Sequence, residues 1–268
     1  MSDSAKLCET SGALGLPFEM NTATLFRSKR LKHEMTNMKS WSHIARHCTV
    51  LLAAGAALTL TTASSADVEM APLPIKLPIP AFMGTPTDMP LDENLVEKPS
   101  EKPRAPFMAP KGAENVAFKK KVTSSDKSPI TGTLELVTDG DKEANDNSFV
   151  ELHRKTQWVQ IDLEKKHKIY AIIVWHAHNT YQVYHDVIVQ VSDDPDFTQG
   201  VQVVYNNDQD NSSGLGIGTD KEYFENYEGR LMNAKGIEGR YVRLYSRGST
   251  YSALNRYTEV EVWALPAE

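Results

Sequence analysis

Cysteine is scarce in this sequence, which contains only Cys8 and Cys48 among its 268 residues. The long stretch after Cys48 therefore has no disulfide bond and no cysteine nucleophile. Its stability must come from a buried core or from a bound metal ion. Such an absence is more typical of the periplasm or surface of a bacterium than of an animal extracellular space, where small domains usually carry disulfides.

The sequence also lacks the common catalytic motifs. It contains no G-x-S-x-G elbow and no H-E-x-x-H pair, which excludes two widespread hydrolase patterns. The run GLGIG at 214–218 lacks the lysine of a phosphate-binding loop. Asp139 with Asp141, and Asp208 with Asp210, lie in turn-forming sequence, which suits turns or metal ligands better than a glycosidase acid pair. We therefore expect a protein that is not an enzyme.

Positive charge is limited as well. The chain has 29 Lys and Arg residues against 35 Asp and Glu residues, a formal net charge of -6. Basic residues outnumber acidic ones in residues 1–66, so the remainder of the chain is more acidic than the whole. Because such a chain is repelled by phosphate backbones, we expect no nucleic-acid partner.

Residues 1–66 are predicted to be a leader and signal peptide. The apolar run 49–63 follows Lys39 and Arg46 and is too short to span a bilayer comfortably. Small residues at 64–66 predict cleavage after Ala66, which leaves no membrane span in a protein exported to the periplasm, the cell surface or the extracellular space. An uncleaved membrane anchor is the alternative. Three methionines are candidate starts: Met1, Met35 and Met38.

Residues 67–112 are predicted to be a disordered linker. Prolines recur throughout this segment, and proline fixes φ and removes a hydrogen-bond donor, which favours an extended chain. Such a segment holds the following domain away from a surface or drapes over it.

Short alternating apolar runs then follow, and they predict strands that each bury one face. The runs are WVQIDL (158–163), KIYAIIVWHAH (168–178), DVIVQVSDD (186–194), RYVRLYS (240–246) and YTEVEVW (257–263). Val159, Ile161 and Leu163 share one face of the first run. The region shows no convincing helical period, so the fold class is predicted to be all-β, an antiparallel β-sandwich.

The order of these motifs resembles the discoidin family, the coagulation factor 5/8 type C domains, which are galactose-binding-like jelly rolls. The run NVAFKKKVTSS (115–125) and the turn TDGD (138–141) extend the resemblance over about 113–264, which leaves a tail at 265–268. The resemblance implies a binding module whose ligand is set by its loops. We expect a carbohydrate partner, a glycan or envelope polysaccharide. A structural or protein-interaction domain of the cell envelope, with a protein partner, is the alternative.

The resemblance also implies a structural calcium ion (Ca²⁺) held by Asp139, Asp141 and Glu259. Calcium prefers several carboxylate and carbonyl oxygens, and a tight glycine turn can direct them inward. Ala144 stands where relatives often have a hydroxyl residue, which departs from the pattern. An ordinary Asx-rich turn is the alternative.

Three histidines form a second candidate site. His176 and His178 are two residues apart at the end of a predicted strand, so their side chains point to the same face. With His185 they could bind zinc or form hydrogen bonds with sugar hydroxyls. Structural histidines bonded to the backbone or to Asp186 are the alternative.

The polar tract after the strand VQVVY is a third candidate site. Long ordered loops on a sandwich tend to be functional, and amide and carboxylate groups suit a sugar or a calcium ion. The proposed ligand contacts in this tract are Asn206, Asn207, Asp208 and Asp210. A solvated loop is the alternative.

Arg243 is the fourth candidate, because it alternates with tyrosines on the run 240–246. An aromatic face beside a guanidinium can hold a sugar ring. Pairing of Arg243 with Glu259 or Glu261 on a neighbouring strand is the alternative. If the sandwich brings the histidines, the polar tract and Arg243 to one end, they form a single recess.

Overall fold

The computed structural model describes residues 68–84, 92–100 and 102–267, and the predicted leader at 1–66 lies outside them. Within these residues the chain forms one 3-10 helix, Leu134–Thr138, and ten strands. The strands are β1 Met70–Pro72, β2 Met108–Pro110, β3 Glu114–Asn115, β4 Val122–Ser124, β5 Val150–Leu152, β6 Gln157–His176, β7 Ile188–Ser192, β8 Gln202–Asn206, β9 Arg230–Ser246 and β10 Asn255–Pro266. No helix in the described part of the chain is long and apolar enough to cross a membrane.

The strands β3 to β10 form the antiparallel β-sandwich that the sequence predicted. The hydrogen-bonded order is β3-β10-β6-β9-β7-β8, with β4 added to β6 and β5 added to β10. All of these pairings are antiparallel. The short apolar runs and the polar turns between them suit this architecture, in which each strand presents one side to a shared core.

The two long strands β6 and β9 each run through both halves of the sandwich. The sequence predicted two separate strands, WVQIDL and KIYAIIVWHAH, but the structure joins them into β6 with a register shift between Asp162 and His167. The first half of β6 pairs with β4, and the second half pairs with β10. Positive φ at Glu164 falls within that register shift, where the strand passes from one half of the sandwich to the other.

The main core lies between these two halves. Val159 and Ile161 from the first half of β6 pack in the same buried cluster as Val174 from its second half. Strand β7 is buried along its whole length. Both of its faces are therefore covered, since Ile188 on one face is as inaccessible as Val189 on the other. The predicted face of Val159, Ile161 and Leu163 is therefore confirmed as a core face.

A second apolar layer covers the outer face of the sheet. Trp175, Ile173 and Trp263 point away from the main core and pack against residues that precede the sandwich. Those residues are Leu73, Ile75, Phe107 and Ala109. Residues 67–112 were expected to be disordered, but their described parts contain the paired strands β1 and β2 and lie on the sandwich. The reason is that the regularly spaced apolar side chains between the prolines bury surface against the two tryptophans.

Candidate functional site

Three loops meet at one end of the sandwich. His176 at the end of β6 is opposite Tyr257 at the start of β10. The backbone N–H of His185 donates to the carbonyl of Gly248 at 3.0 Å, and that of Asn207 donates to Val187 at 3.1 Å. The predicted histidine cluster and the Asn/Asp tract are therefore brought to the same end.

His176 lies inside the protein rather than on its surface. Its ring has no exposed area, and its Nδ1 atom is 2.6 Å from Oε1 of Glu225. The ring stacks on Tyr184 with centroids 4.2 Å apart and contacts Tyr257 at 4.8 Å. The side chain of His176 therefore orients a buried carboxylate and does not itself reach solvent.

His178 and His185 have different environments. Nε2 of the buried His178 is 2.9 Å from the carbonyl oxygen of Lys142, and burial lowers the pKa of the imidazole. His185 is partly exposed, and its Nδ1 is 2.7 Å from Oε1 of Glu222. The hydrogen bond to Glu222 raises the pKa of His185. Of the three histidines, His185 is the most accessible to a ligand.

The Asn206–Asp210 tract forms a hydrogen-bonded loop. Oδ1 of Asn206 accepts the backbone N–H of Asp208 at 2.9 Å, and Oδ1 of Asn207 accepts that of Val187 at 2.6 Å. The buried carboxylate of Asp208 accepts the backbone N–H groups of Ser212 and Ser213 at 3.0 and 2.9 Å. These contacts fix the loop backbone.

Two carboxylates of this loop meet a third from the loop before β7. Oxygen atoms of Asp186, Asp208 and Asp210 lie within 4.8 Å of one another, and only Asp210 is exposed. Burial raises the pKa of Asp208. The carboxylate of Asp186 also accepts the hydroxyls of Ser212 and Ser213. The cluster is thus hydrogen-bonded largely to its own loop.

Arg243 shares no hydrogen-bond partner with the histidines or with the Asn/Asp tract. Its guanidinium lies between the rings of Trp158 and Phe197, at 4.3 and 4.1 Å from their centroids. Its Nε donates to Oε1 of Gln160 at 2.7 Å, and Nη2 donates to the carbonyl of Pro195 at 3.0 Å. The predicted alternative, an ion pair with Glu259 or Glu261, does not form. Arg243 instead packs on the sheet half that contains β7.

Of the predicted calcium residues, Glu259 has a carboxylate oxygen that is free to bind a cation. Oε2 of the buried Glu259 accepts the backbone N–H of Gly140 at 3.0 Å, while Oε1 is buried without a hydrogen-bond partner in the described part of the chain. Burial raises the pKa of Glu259 to about 9. An orphaned carboxylate oxygen beside a glycine turn suits a hard cation, but Asp139, Asp141 and Glu259 do not bring three carboxylates within 4.8 Å of one another, as Asp186, Asp208 and Asp210 do in the described part of the chain.

A different cavity contains the groups best placed for a ligand. Its volume is about 350 Å³, within the range of small-molecule sites. One wall comes from the segment 223–231 that leads into β9, and Tyr181 belongs to the loop between β6 and β7. The opposite wall comes from the Pro-rich segment, through 82–84 and 97–104.

Several buried polar atoms at this cavity have no partner among the described residues. Oε2 of Glu225, the hydroxyl of Tyr223 and Nε of Arg230 are all inaccessible to solvent and unpaired. Because these atoms are closed to solvent, they lie behind the lining of the cavity, where burial and then the neighbouring Glu225 raise the pKa of the Tyr223 hydroxyl. A carboxylate, a guanidinium and a phenol group therefore meet beneath one wall of the cavity.

Sequence reasoning missed this set of residues. They lie in KEYFENYEGR (221–230), which alternates aromatic and acidic residues before β9. That concentration of Tyr, Phe and Glu was the available local signal. The wall formed by Arg104 and Glu97 had no such signal, because these residues lie in what reads as a linker.

Comparisons with known proteins find one family model and several solved structures that are similar to part of this chain. A family described as NedA-like, galactose-binding F5/8 type C domains matches residues 136–244. Among curated proteins, no relative matches the chain. A fucose-binding module of Streptococcus pneumoniae is similar in structure at 18% identity, with a TM-score of 0.41, over 57% of this chain and 98% of that one.

Two larger proteins contain a similar region. The family 89 glycoside hydrolase of Clostridium perfringens has 15% identity and a TM-score of 0.42, over 57% of this chain but 15% of the enzyme. A fucolectin from striped bass (Morone saxatilis) serum has 16% identity and a TM-score of 0.40, over 58% of this chain and 50% of that one. The match of the F5/8 type C, galactose-binding-like family model to residues 136–244 agrees with the resemblance that the sequence motifs predicted.

Proposed function

We propose that this domain binds a carbohydrate in the cavity between 223–231 and the Pro-rich segment. The observation that carries the proposal is the cavity itself, about 350 Å³ in volume, with Arg230 and the aromatic residues Tyr181 and Phe82 in its walls. Glu225 lies beneath one wall, where His176 holds one carboxylate oxygen and the other has no hydrogen-bond partner among the described residues. Replacing Glu225 therefore changes the support of that wall.

The lining of the cavity suits a sugar ring. The side chains of Glu97, Arg104 and Arg230 lie in its walls and offer carboxylate and guanidinium groups to sugar hydroxyls. Tyr181 and Phe82 add an aromatic rim, with ring centroids 4.0 Å apart. Aromatic faces pack against the apolar side of a sugar while polar groups contact its hydroxyls. The family description, galactose-binding, supports the same chemical class.

We also propose that binding occurs without catalysis and that the protein is exported. The first proposal rests on the absence of hydrolase motifs, and on Glu225 being occupied by His176 on one side. The second rests on the apolar run 49–63 and the small residues that follow it.

A glycan array probed with the purified full chain and with a Glu225→Gln variant tests the carbohydrate site. We expect the wild type to bind a subset of glycans, and the variant to bind the same subset about tenfold more weakly, which is about 1.4 kcal/mol. Glu238→Gln is the matched control, because Glu238 is exposed and does not line the cavity. A wild-type protein that binds no glycan on the array would reject the proposal. Equal binding by the wild type and Glu225→Gln would place the site elsewhere.

A further inference from the structure

The cavity is not made by the sandwich alone. The segment 223–231 and Tyr181 supply one wall, whereas the other wall consists of residues that precede the sandwich, at 82–84 and 97–104. We call residues 82–84 and 92–104, in their described parts, the strap. A cavity with one wall from each part exists only while the strap is in place.

Backbone pairing fixes the strap along the loop before β9. Val96 forms a parallel bridge with Glu222. The N–H of Glu97 donates to the carbonyl of Glu222 at 2.8 Å, and the N–H of Glu222 donates to that of Leu95 at 2.9 Å. The side chain of Val96 is only 6% exposed. The strap therefore follows a defined path, unlike a solvated spacer.

Two charged contacts join the strap to the cavity residues. Both Nη atoms of Arg230 donate to the carboxylate of Glu97, each at 2.6 Å. Nη1 of Arg104 donates to the carbonyl of Gly229 at 2.7 Å, and the backbone N–H of Arg104 donates to Oε1 of Glu228 at 2.9 Å. Bidentate guanidinium–carboxylate pairs fix orientation as well as distance. Glu97 thus sets the position of the Arg230 guanidinium in the wall of the cavity.

We propose that the strap is half of the carbohydrate site, and that Glu97 and Arg104 determine whether that site forms. The proposal rests on the carbohydrate-binding function proposed above and adds the element that makes the site specific to this chain. Because a ligand held between two walls binds only the docked state, ligand binding and docking of the strap stabilise each other. The segment that reads as a tether is then a part of the recognition surface.

Reversing the charge of one strap residue distinguishes a role of the strap in ligand binding from a role in the stability of the fold alone. Glu97→Arg in the full chain places two guanidinium groups together and should release the strap. Glu69→Arg is the matched control, since Glu69 pairs with Lys111 through exposed side chains in the same segment and away from the cavity. Arg104→Ala is a second strap variant in case Glu97→Arg folds poorly. Amide hydrogen exchange of residues 92–98, without ligand, measures docking.

Calorimetry with the glycan that gives the strongest array signal, and with D-galactose as the minimal probe, measures affinity. We expect Glu97→Arg and Arg104→Ala to exchange faster at 92–98 and to bind at least tenfold more weakly, while Glu69→Arg matches the wild type. In the wild type, the bound glycan should slow exchange at 92–98. The double variant Glu97→Arg with Arg230→Glu should restore slow exchange.

The outcomes separate this proposal from the proposed function. If Glu97→Arg and Arg104→Ala release the strap but bind the glycan as tightly as the wild type, the strap is not part of the site and carbohydrate binding still stands. If exchange at 92–98 is already fast in the wild type, the strap is not docked and the proposal is overturned. If the wild type binds no glycan, both the proposed function and this extension of it are rejected.

Discussion

Nδ1 of His176 lies 2.6 Å from Oε1 of Glu225, and neither side chain is exposed to solvent. The contact joins the end of strand β6 to the segment before β9. The second carboxylate oxygen of Glu225 has no hydrogen-bond partner among the described residues and is closed to solvent, beneath one wall of the cavity. His176, which the sequence predicted to contact a ligand, is therefore buried behind that wall.

Replacing His176 by Phe should weaken glycan binding without removing any atom from the cavity. The phenyl ring can keep the stacking on Tyr184 but cannot hold Glu225. We expect affinity to fall about tenfold and unfolding free energy to fall by about 1–3 kcal/mol, because a buried carboxylate loses its partner. Calorimetry and urea unfolding give the two values. Lower stability with unchanged affinity would show that His176 has only a structural role.

Replacing His178 by Ala should lower stability more than affinity. The sequence-based interpretation predicts a tenfold loss of glycan binding without unfolding. The structure instead places Nε2 of His178 at hydrogen-bond distance from the carbonyl of Lys142 and buries the ring. We expect a loss of about 1–3 kcal/mol in unfolding free energy and affinity within twofold of the wild type. A tenfold weaker glycan complex with an unchanged melting temperature would support the sequence-based interpretation.

We propose that calcium stabilises the domain through Glu259 and the turn 139–141. At a hundredfold excess of Ca²⁺ over its dissociation constant, the native state gains about 2.7 kcal/mol. The melting temperature should fall with chelator and recover with Ca²⁺, and Glu259→Gln should abolish the response. Asp210→Asn tests the other acidic cluster. A wild-type melting temperature that is the same with and without chelator would contradict the proposal. If only Asp210→Asn loses the dependence of the melting temperature on Ca²⁺, the ion is bound by the Asn/Asp tract instead.

His185 should titrate above the usual histidine pKa of about 6.5, because the hydrogen bond to Glu222 favours the protonated ring. Asp186 also raises this pKa, and Arg247 lowers it. Since the folded-state pKa is raised, the stabilisation is fully present below about pH 6.5 and is lost as the pH rises through the folded-state value. NMR titration of the His185 ring should show this pKa, and Glu222→Gln should lower it. An identical titration in the two proteins would contradict the assignment.

Intact-mass analysis tests export. Cleavage after Ala66 predicts a mature protein that begins at Asp67. A mature N-terminus upstream of Thr49, in protein recovered from membranes, would contradict the prediction and favour an anchor. A mature N-terminus within a few residues of Asp67 would still support a cleaved signal peptide and would revise only the position of cleavage.

The sequence by itself determined the all-β fold class and the resemblance to the F5/8 type C family. Period-two alternation is a local property, so Val159, Ile161 and Leu163 could be assigned to one buried face before any pairing was known. The turns between the runs predicted antiparallel neighbours. The same local signals placed His176 and His178 on one face, and the structure has both of them at one end of the sandwich.

Tertiary structure alone decided which of these groups is buried and which faces a cavity. His176 reads as a polar residue at a strand end, but Glu225, 49 positions later, covers it. The prolines of 67–112 predict an extended chain, yet they carry no information on Trp175 and Trp263, against which that chain packs. Glu97 and Arg230 are 133 positions apart, and no local pattern encodes a contact over such a separation. It forms only because β9 begins beside the docked strap, which is why the sequence predicted the domain but not its cavity.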